Sequence, residues 1–272
     1  MADVTLTSGM RNNLLQLQGT SKLIDRTQER LSTGKKVNSA LDNPTNYFAA
    51  QAAVNRSADL AIRKDGLAEG IQTVKASDAG ISAISALIEA AKGVASAALG
   101  ATDAGRLSFM TQYNTLMSQI DTLASDSSYR GTNLLTGSDL TVSFNENGSS
   151  TLKVAGFTST STGLSITTAT DWTVAAGVGT SNITADQQRL GSATESLRTQ
   201  SKNLAGNLNI ISSRQSFTDS MITTLQGGAD NLTLADMNEE GANMLMLQTR
   251  QSLGTTALSL SSQASQAVLR LF

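Results

Sequence analysis

The chain contains neither cysteine nor histidine. Without cysteine there are no disulfides and no thiolate nucleophiles; without histidine the serine-protease type of triad and the common zinc ligand sets are gone. Proline occurs once, and aromatic residues make up 4% of the 272 positions. Large rings usually supply much of a compact core, whereas the apolar mass here is Ala, Leu, Ile, Val and Met, which suits helix-on-helix packing. Scarce proline permits long uninterrupted helices, because an interior proline costs about 3 kcal/mol. Neither sign of charge prevails: 20 basic and 22 acidic residues leave a net charge of −2, so no basic field points to nucleic acid. Met1 to Leu6 lacks the basic start and apolar run of a cleaved secretory signal. No stretch approaches roughly 18 consecutive apolar residues, so no transmembrane helix is expected. No acid, base and nucleophile are clustered. The expectation is a protein that is not an enzyme and carries no cofactor or metal.

Helical periodicity fills most of what is present. From about Thr7 to Thr33, Leu14, Leu17, Ser21, Ile24, Gln28 and Leu31 recur at alternating spacings of three and four, one stripe of a helix. Lys22, Arg26, Arg30, Lys35 and Lys36 lie on its other faces or just beyond, as a solvated basic face would. Gly34 is placed to stop this helix, and Pro44 after Asp42-Asn43 to start another. That second helix is alanine-rich, runs to about Leu99, and carries the stripe Ile81, Ile84, Ile88, Ala91, Ala95 and Ala98. Gly100 to Gly105 breaks it, and a third helix follows with Phe109, Tyr113, Leu116, Ile120 and Leu123.

Between about Ser138 and Ala185 the texture turns to Ser, Thr and Gly with period-two alternation. Leu140, Val142 and Phe144, a turn at Asn145-Glu146-Asn147-Gly148, then Leu152 and Val154 read as a β-hairpin, with weaker strands expected at Leu164–Ile166 and Trp172–Val174. Helix is expected again from Asp186 to Gly227-Gly228, with Leu190, Leu197, Leu204, Ile211, Thr218 and Leu225 spaced by sevens as in a coiled-coil seam. A last helix from Thr233 or Leu234 carries two apolar stripes: Met244, Leu247, Leu258, Val268 and Phe272 on one, and Leu245, Leu253, Leu260, Ala264, Ala267 and Leu271 on the other. A helix apolar on two faces needs more than one neighbour. The fold class is therefore mainly α, a long antiparallel, coiled-coil-like helical core formed by both chain ends, with a small central β-rich insert. Amphipathic ends of this kind are marginal alone, which implies that other copies of the chain finish them.

Leu31-Ser32-Thr33-Gly34-Lys35-Lys36-Val37-Asn38-Ser39-Ala40-Leu41-Asp42-Asn43-Pro44 resembles the flagellin motif joining the first helix to the second. Phe109 through Leu135, with Ile120-Asp121 and Tyr129-Arg130-Gly131-Thr132-Asn133-Leu134-Leu135, is similar to that family's shorter core helix and the turn after it. Ala235 to Glu240 and Ala264 to Phe272 resemble its C-terminal helix. The likeness covers roughly the first half and the last third of the chain. It implies inner-core helices over 1–40 and 232–272, outer-core helices over 41–137 and 183–231, and a variable surface module over 138–182. Assembly residues would be Leu14, Leu17, Ile24, Leu31, Leu258, Val268, Leu269, Leu271 and Phe272; outer-core packing would fall to Ile81, Ile84, Ile88, Leu116, Ile120, Leu197, Leu204 and Ile211.

The same resemblance implies a helical homopolymer outside the cell, the filament of the bacterial flagellum, exported through the flagellar type III apparatus without cleavage of a signal peptide. It implies an export chaperone, and hook-associated and cap proteins, as partners, with neither nucleic acid nor membrane insertion. Asp42-Asn43-Pro44 leans toward hook–filament junction proteins, the alternative reading; Leu269-Arg270-Leu271-Phe272 and the compact spacing favour flagellin. In flagellins that the flagellin-sensing Toll-like receptor of animals detects, an outer-core helix reads Gln-Arg-Val-Arg-Glu-Leu. The matching residues here are Glu89 to Val94, so Ala90, Lys92 and Val94 replace the two arginines and the leucine, and Gln112 stands for a glutamate on the facing helix.

Smaller signals have plainer readings. Ala176-Gly177-Val178-Gly179 lacks the third glycine of a dinucleotide loop. Asn55, Asn147, Asn182 and Asn231 head Asn-x-Ser/Thr triplets, frequent by chance in such a chain. The Ser/Thr run from Phe157 to Thr170 could carry O-linked sugars. Asp236, Glu239 and Glu240 suit a helix start, where acidic groups complement the dipole.

Overall fold

A computed structural model describes residues 8–173 and 177–269, with side chains up to residue 267. Five helices and one hairpin follow in order: α1 (Ser8–Thr33), α2 (Pro44–Leu99), α3 (Asp103–Asp126), β1 (Leu140–Ser143), β2 (Thr151–Val154), α4 (Val178–Thr233) and α5 (Met237–Leu269). The chain divides into two compact units, one of residues 1–55 with 224–272 and one of residues 56–223.

The first unit joins the chain ends. Gly34, at φ 70°, closes α1 by donating its N–H to the Arg30 carbonyl at 2.8 Å, a conformation that costs glycine nothing. Asn43 caps α2, its Oδ1 accepting from the Asn46 N–H at 3.0 Å, and Pro44 takes the first helical position, where no N–H is needed. Asp42 accepts from the Asn38 and Ser39 N–H groups at 3.0 Å each, and those bonds hold its carboxyl below the ordinary carboxylate range. Asp236 caps α5 in the same way, through the Asn238 N–H at 2.8 Å.

Two boundaries differ from the expectation here. The Gly227-Gly228 pair does not end α4, which continues to Thr233. Each glycine costs about 1 kcal/mol against alanine, but neither meets any neighbour, and the turn beyond them buries Ala229 to 3% exposure. α4 stops where pairing with the Gly34 loop begins: the Lys36 N–H donates to the Thr233 carbonyl at 2.7 Å and the Ala235 N–H to the Gly34 carbonyl at 3.0 Å. That pairing occupies the backbone of residues 233–235, so α5 starts at Met237, later than its apolar pattern suggests.

The second unit holds a buried cluster running from Leu67 to Ile211 through α2, α3, α4 and the insert. Bonds between Lys64 and Asp219, Asp78 and Ser201, Lys92 and Thr194, and Ser96 and Gln187 set α2 and α4 antiparallel. Leu190, Leu197, Leu204, Ile211 and Thr218 are all at most 3% exposed, so the seam spaced by sevens is the buried face of α4. α2 is long and apolar enough by composition to cross a membrane, yet its stripe of Ile84, Ile88, Ala91, Ala95 and Ala98 is fully buried within this unit. Arg106 turns the corner after α2, its guanidinium donating to the Ala98 and Leu99 carbonyls at 3.2 and 3.3 Å. Gly105 lies inside α3, so the break is narrower than its glycines indicate.

The hairpin is present as expected, with Leu140 opposite Val154 and Ser143 opposite Thr151. The two weaker strands are not. Ser165 at φ 57° and Asp171 at φ 58° break the extended backbone, and residues 160–166 form turns in which the Leu164 N–H bonds the Thr160 carbonyl at 2.9 Å. Alternation there reports burial without a ladder: Leu164 and Ile166 are buried and Ser165 is exposed. Val174 lies outside the described residues. α4 begins at Val178, eight residues before Asp186, with Gly179 packed against the Trp172 carbonyl where a side chain would not fit. Val142, Val154, Ile166, Ala169 and Trp172 belong to the same cluster as the helices, so residues 138–173 form no unit of their own.

Candidate assembly surface of the paired chain ends

α1 and α5 pack along each other. Leu17 lies against Gly254, where an added Cβ would stand 2.6 Å from Leu17 Cδ2, and Arg30 pairs with Glu240 at 2.7 Å, so the helices run antiparallel. The covered face of α1 is Met10, Asn13, Leu17, Thr20, Ile24, Thr27 and Leu31, a strict alternation of three and four. This differs from the stripe read off the sequence at three positions, Thr20 standing where Ser21 was expected. Asn13 and Thr27 take the places assigned to Leu14 and Gln28, and Leu14 is 41% exposed. Leu17, Ile24, Leu31 and Leu258 are half-buried. Leu271 and Phe272, and the side chains of Val268 and Leu269, lie outside the described residues.

Glu240 is nearly buried at 6% exposure and would be costly there unpaired. The Arg30 guanidinium supplies its partner. Lys36 reaches the Asn231 carbonyl at 3.0 Å. Two members of the basic cluster thus hold the C-terminal segment instead of forming a solvated face.

The outer side of the pair carries exposed leucines among polar residues. Leu15 is 65% exposed on α1, and Leu245, Leu253 and Leu260 are 68%, 65% and 62% exposed on α5. The latter three are the second stripe of α5, uncovered as the two-stripe reading requires. An open groove of about 680 Å³ lies between the helices, lined by Leu17, Gly19, Leu23, Leu253, Gly254 and Ala257. Sequence reasoning missed Leu15, Leu23 and Gly254: the leucines fall off the stripe, and Gly254 carries no periodic signal.

The other predicted positions sit in the second unit. Ile81, Ile84, Ile88, Ile120, Leu197, Leu204 and Ile211 are buried at 3% exposure or less, while Leu116 is partly buried beside Met117, which takes the core position. Ala90 and Gln112 face solvent, and Val94 is half-buried against the cluster. Lys92 is tied down on its own subunit, 2.8 Å from Glu89 and 3.0 Å from the Thr194 hydroxyl. Among the described residues, no group of three or more acidic side chains is placed to hold a metal ion.

A unit with a closed core and a helix pair that leaves leucines exposed fit a helical structural protein. A family profile described as the bacterial flagellin N-terminal helical region matches residues 6–139. Flagellin FljK and flagellin FljO of Caulobacter vibrioides are 30% and 31% identical to the chain, each over 99% of it and 98% of their own length. Flagellin of Brucella melitensis biotype 1 is 29% identical over 100% of the chain and 99% of its own length. The chain belongs to the bacterial flagellin family: it is a structural subunit that polymerises into the flagellar filament, outside the cell. Nothing in these likenesses favours the hook-associated alternative.

Proposed function

We propose that the α1–α5 pair is the polymerising part of the subunit, and that neighbouring copies complete the burial it begins. The observation that carries this is the exposure of Leu15 on α1 and of Leu245, Leu253 and Leu260 on α5. Covering each is worth about 1–2 kcal/mol, since full burial of a leucine gives about 1.5–3. Leu14, Leu17, Ile24, Leu31, Leu258, Val268, Leu269, Leu271 and Phe272 take part, within inner-core segments 1–40 and 232–272. Segments 41–137 and 183–231 serve as the outer core of the filament, and residues 138–182 as its variable surface module. Seeded, purified Leu15→Ser/Leu253→Ser protein tests the reading by electron microscopy. A folded subunit that forms no filaments is expected; filaments of wild-type yield would overturn it.

The remaining partners belong to the same proposal. The subunit is exported by the flagellar apparatus with a chaperone and without signal-peptide cleavage, and it meets hook-associated and cap proteins at the filament ends. O-linked sugars would fall on exposed Thr162, Thr167, Thr168 and Thr170; Ser159 and Ser161 are buried, their hydroxyls bonded to the Leu135 carbonyl and the Asp121 carboxylate. The animal Toll-like receptor detects this flagellin poorly, because Ala90 offers none of an arginine's donors and Lys92 is held by Glu89 and Thr194. Loss of an interfacial arginine commonly costs more than about 1 kcal/mol of binding. A receptor-reporter titration checks this: Ala90→Arg with Gln112→Glu is expected to raise potency, and wild-type potency equal to that of a known activator would refute it.

A further inference from the structure

The hairpin tip joins two features that the assembly reading leaves unused. Asn147-Gly148 is the single Asn-Gly pair in the chain, and it sits in the exposed loop between Phe144 and Ser150. We propose that Asn147 is a site of spontaneous covalent modification, losing its side-chain amide to become aspartate and isoaspartate.

In the reaction, the Gly148 backbone nitrogen attacks Asn147 Cγ. A C–N bond forms, the nitrogen gives up its proton, and the side-chain nitrogen leaves as ammonia. The resulting succinimide is opened by water at either carbonyl, giving aspartate or its isomer; no oxidant or reductant is required. The rate depends on two things: an attacking backbone N–H that is neither blocked nor strongly hydrogen-bonded, and an amide free to turn toward it. Glycine after the asparagine removes the Cβ that would crowd the approach.

The structure separates Asn147 from every other asparagine in these terms. Those in α1 to α5 are followed by residues whose N–H groups belong to helices, where they are engaged in i to i−4 bonds or lie in the first turn. Outside the helices stand Asn38, Asn43, Asn133, Asn145 and Asn147. Asn43 precedes Pro44, which has no N–H. The Ser39 N–H beyond Asn38 is held by the Asp42 carboxylate at 3.0 Å. Asn133 is buried, its amide donating to the Ala124 and Ser125 carbonyls at 2.8 and 3.0 Å and accepting from the Leu135 N–H at 2.9 Å. Asn145 bonds Ser149 Oγ at 2.7 Å and the Ser150 N–H at 3.1 Å. Asn147 is exposed and its side chain makes no hydrogen bond among the described residues; the Gly148 N–H makes only a long one, 3.3 Å to the Asn145 carbonyl.

Conversion would place a carboxylate beside Glu146, whose own carboxylate accepts from Arg56 at 2.9 Å. The isomer would also add a methylene to the backbone of the turn. Modification therefore changes both charge and register where the hairpin tip meets α2.

The test is peptide mass mapping of the full-length protein aged at mildly alkaline pH, with isoaspartyl methyltransferase labelling to detect the isomer. The mass gain of an amide-to-acid exchange is expected at Asn147 an order of magnitude faster than at any other asparagine, with methyl label on the same peptide. Asn147→Gln should abolish both signals and Gly148→Ala should slow them. No gain at Asn147, or gain at Asn38 or Asn145 at the same rate, would overturn the proposal.

Discussion

The two units bury apolar surface in different ways. Residues 56–223 hold the whole main cluster, with Leu67, Ile84, Ile88, Ile120, Leu197 and Ile211 at zero exposure and Trp172 closing it. In the unit of the chain ends, the buried apolar residues among those described are Met10, Val37, Ala50, Ala229 and Leu247. There, two helices cover each other along one seam each and turn leucines outward. A helix pair with a second apolar stripe is an interface in waiting, whereas the three-helix stretch with its tucked hairpin carries a closed core of its own, even though Ile62, Leu107 and Phe217 remain exposed on it.

Mutations should divide along the same line. The largest loss is expected for Trp172→Ala, about 3–5 kcal/mol by the usual cost of a deleted buried ring. It also removes the 2.9 Å bond from Trp172 Nε1 to the buried Asp186 carboxylate. Thermal unfolding followed by circular dichroism measures it, and an unchanged midpoint would mean that the insert is not part of the core. Gly254→Ala comes next, at about 1–3 kcal/mol, because its Cβ would meet Leu17 within 2.6 Å. That loss should fall on the first unit and be seen as faster proteolysis within α1 and α5.

Gly228→Ala should go the other way. The site is helical and exposed with nothing within 4 Å, so alanine is expected to stabilise by up to about 1 kcal/mol, read as a small rise in midpoint. Tyr113→Phe should do least at neutral pH and most in alkali. Burial first, and the negative charge of Asp186 second, push the Tyr113 hydroxyl well above its ordinary range. The folded state keeps the proton where the unfolded state has lost it, so this contribution is present below about pH 10 and falls as pH rises beyond that. The phenylalanine variant should show a flatter decline in stability in alkaline titration.

Much of this contrast was legible in the sequence. Seven-residue spacing on α4 marked the buried seam from Leu190 to Thr218, while Leu225, its last expected member, is only half-buried; the second apolar stripe of α5 marked leucines left exposed. Alternation found the hairpin because a turn signal stood between its halves, but it overreached at Leu164–Ile166, where Ser165 at positive φ breaks the strand while preserving its burial pattern. The seam of α1 was misread at Leu14 because its true members include Asn13, Thr20 and Thr27, polar residues that periodicity of apolar side chains cannot find. Pairings distant in sequence, such as Arg30 with Glu240 and Trp172 with Asp186, leave no local trace. The insert reads as surface because Ser and Thr dominate it, although the few apolar side chains among them are the ones that turn inward.

Hydrogen exchange compares the two units most directly. Backbone amides of α1 and α5 should exchange quickly in the monomer and gain strong protection in the filament, while the buried turns of α2 and α4 around Ile84 and Leu197 should be protected equally in both. Protection of α1 and α5 in the monomer equal to that in the filament would contradict the account, because it would mean that the chain ends are complete without other copies.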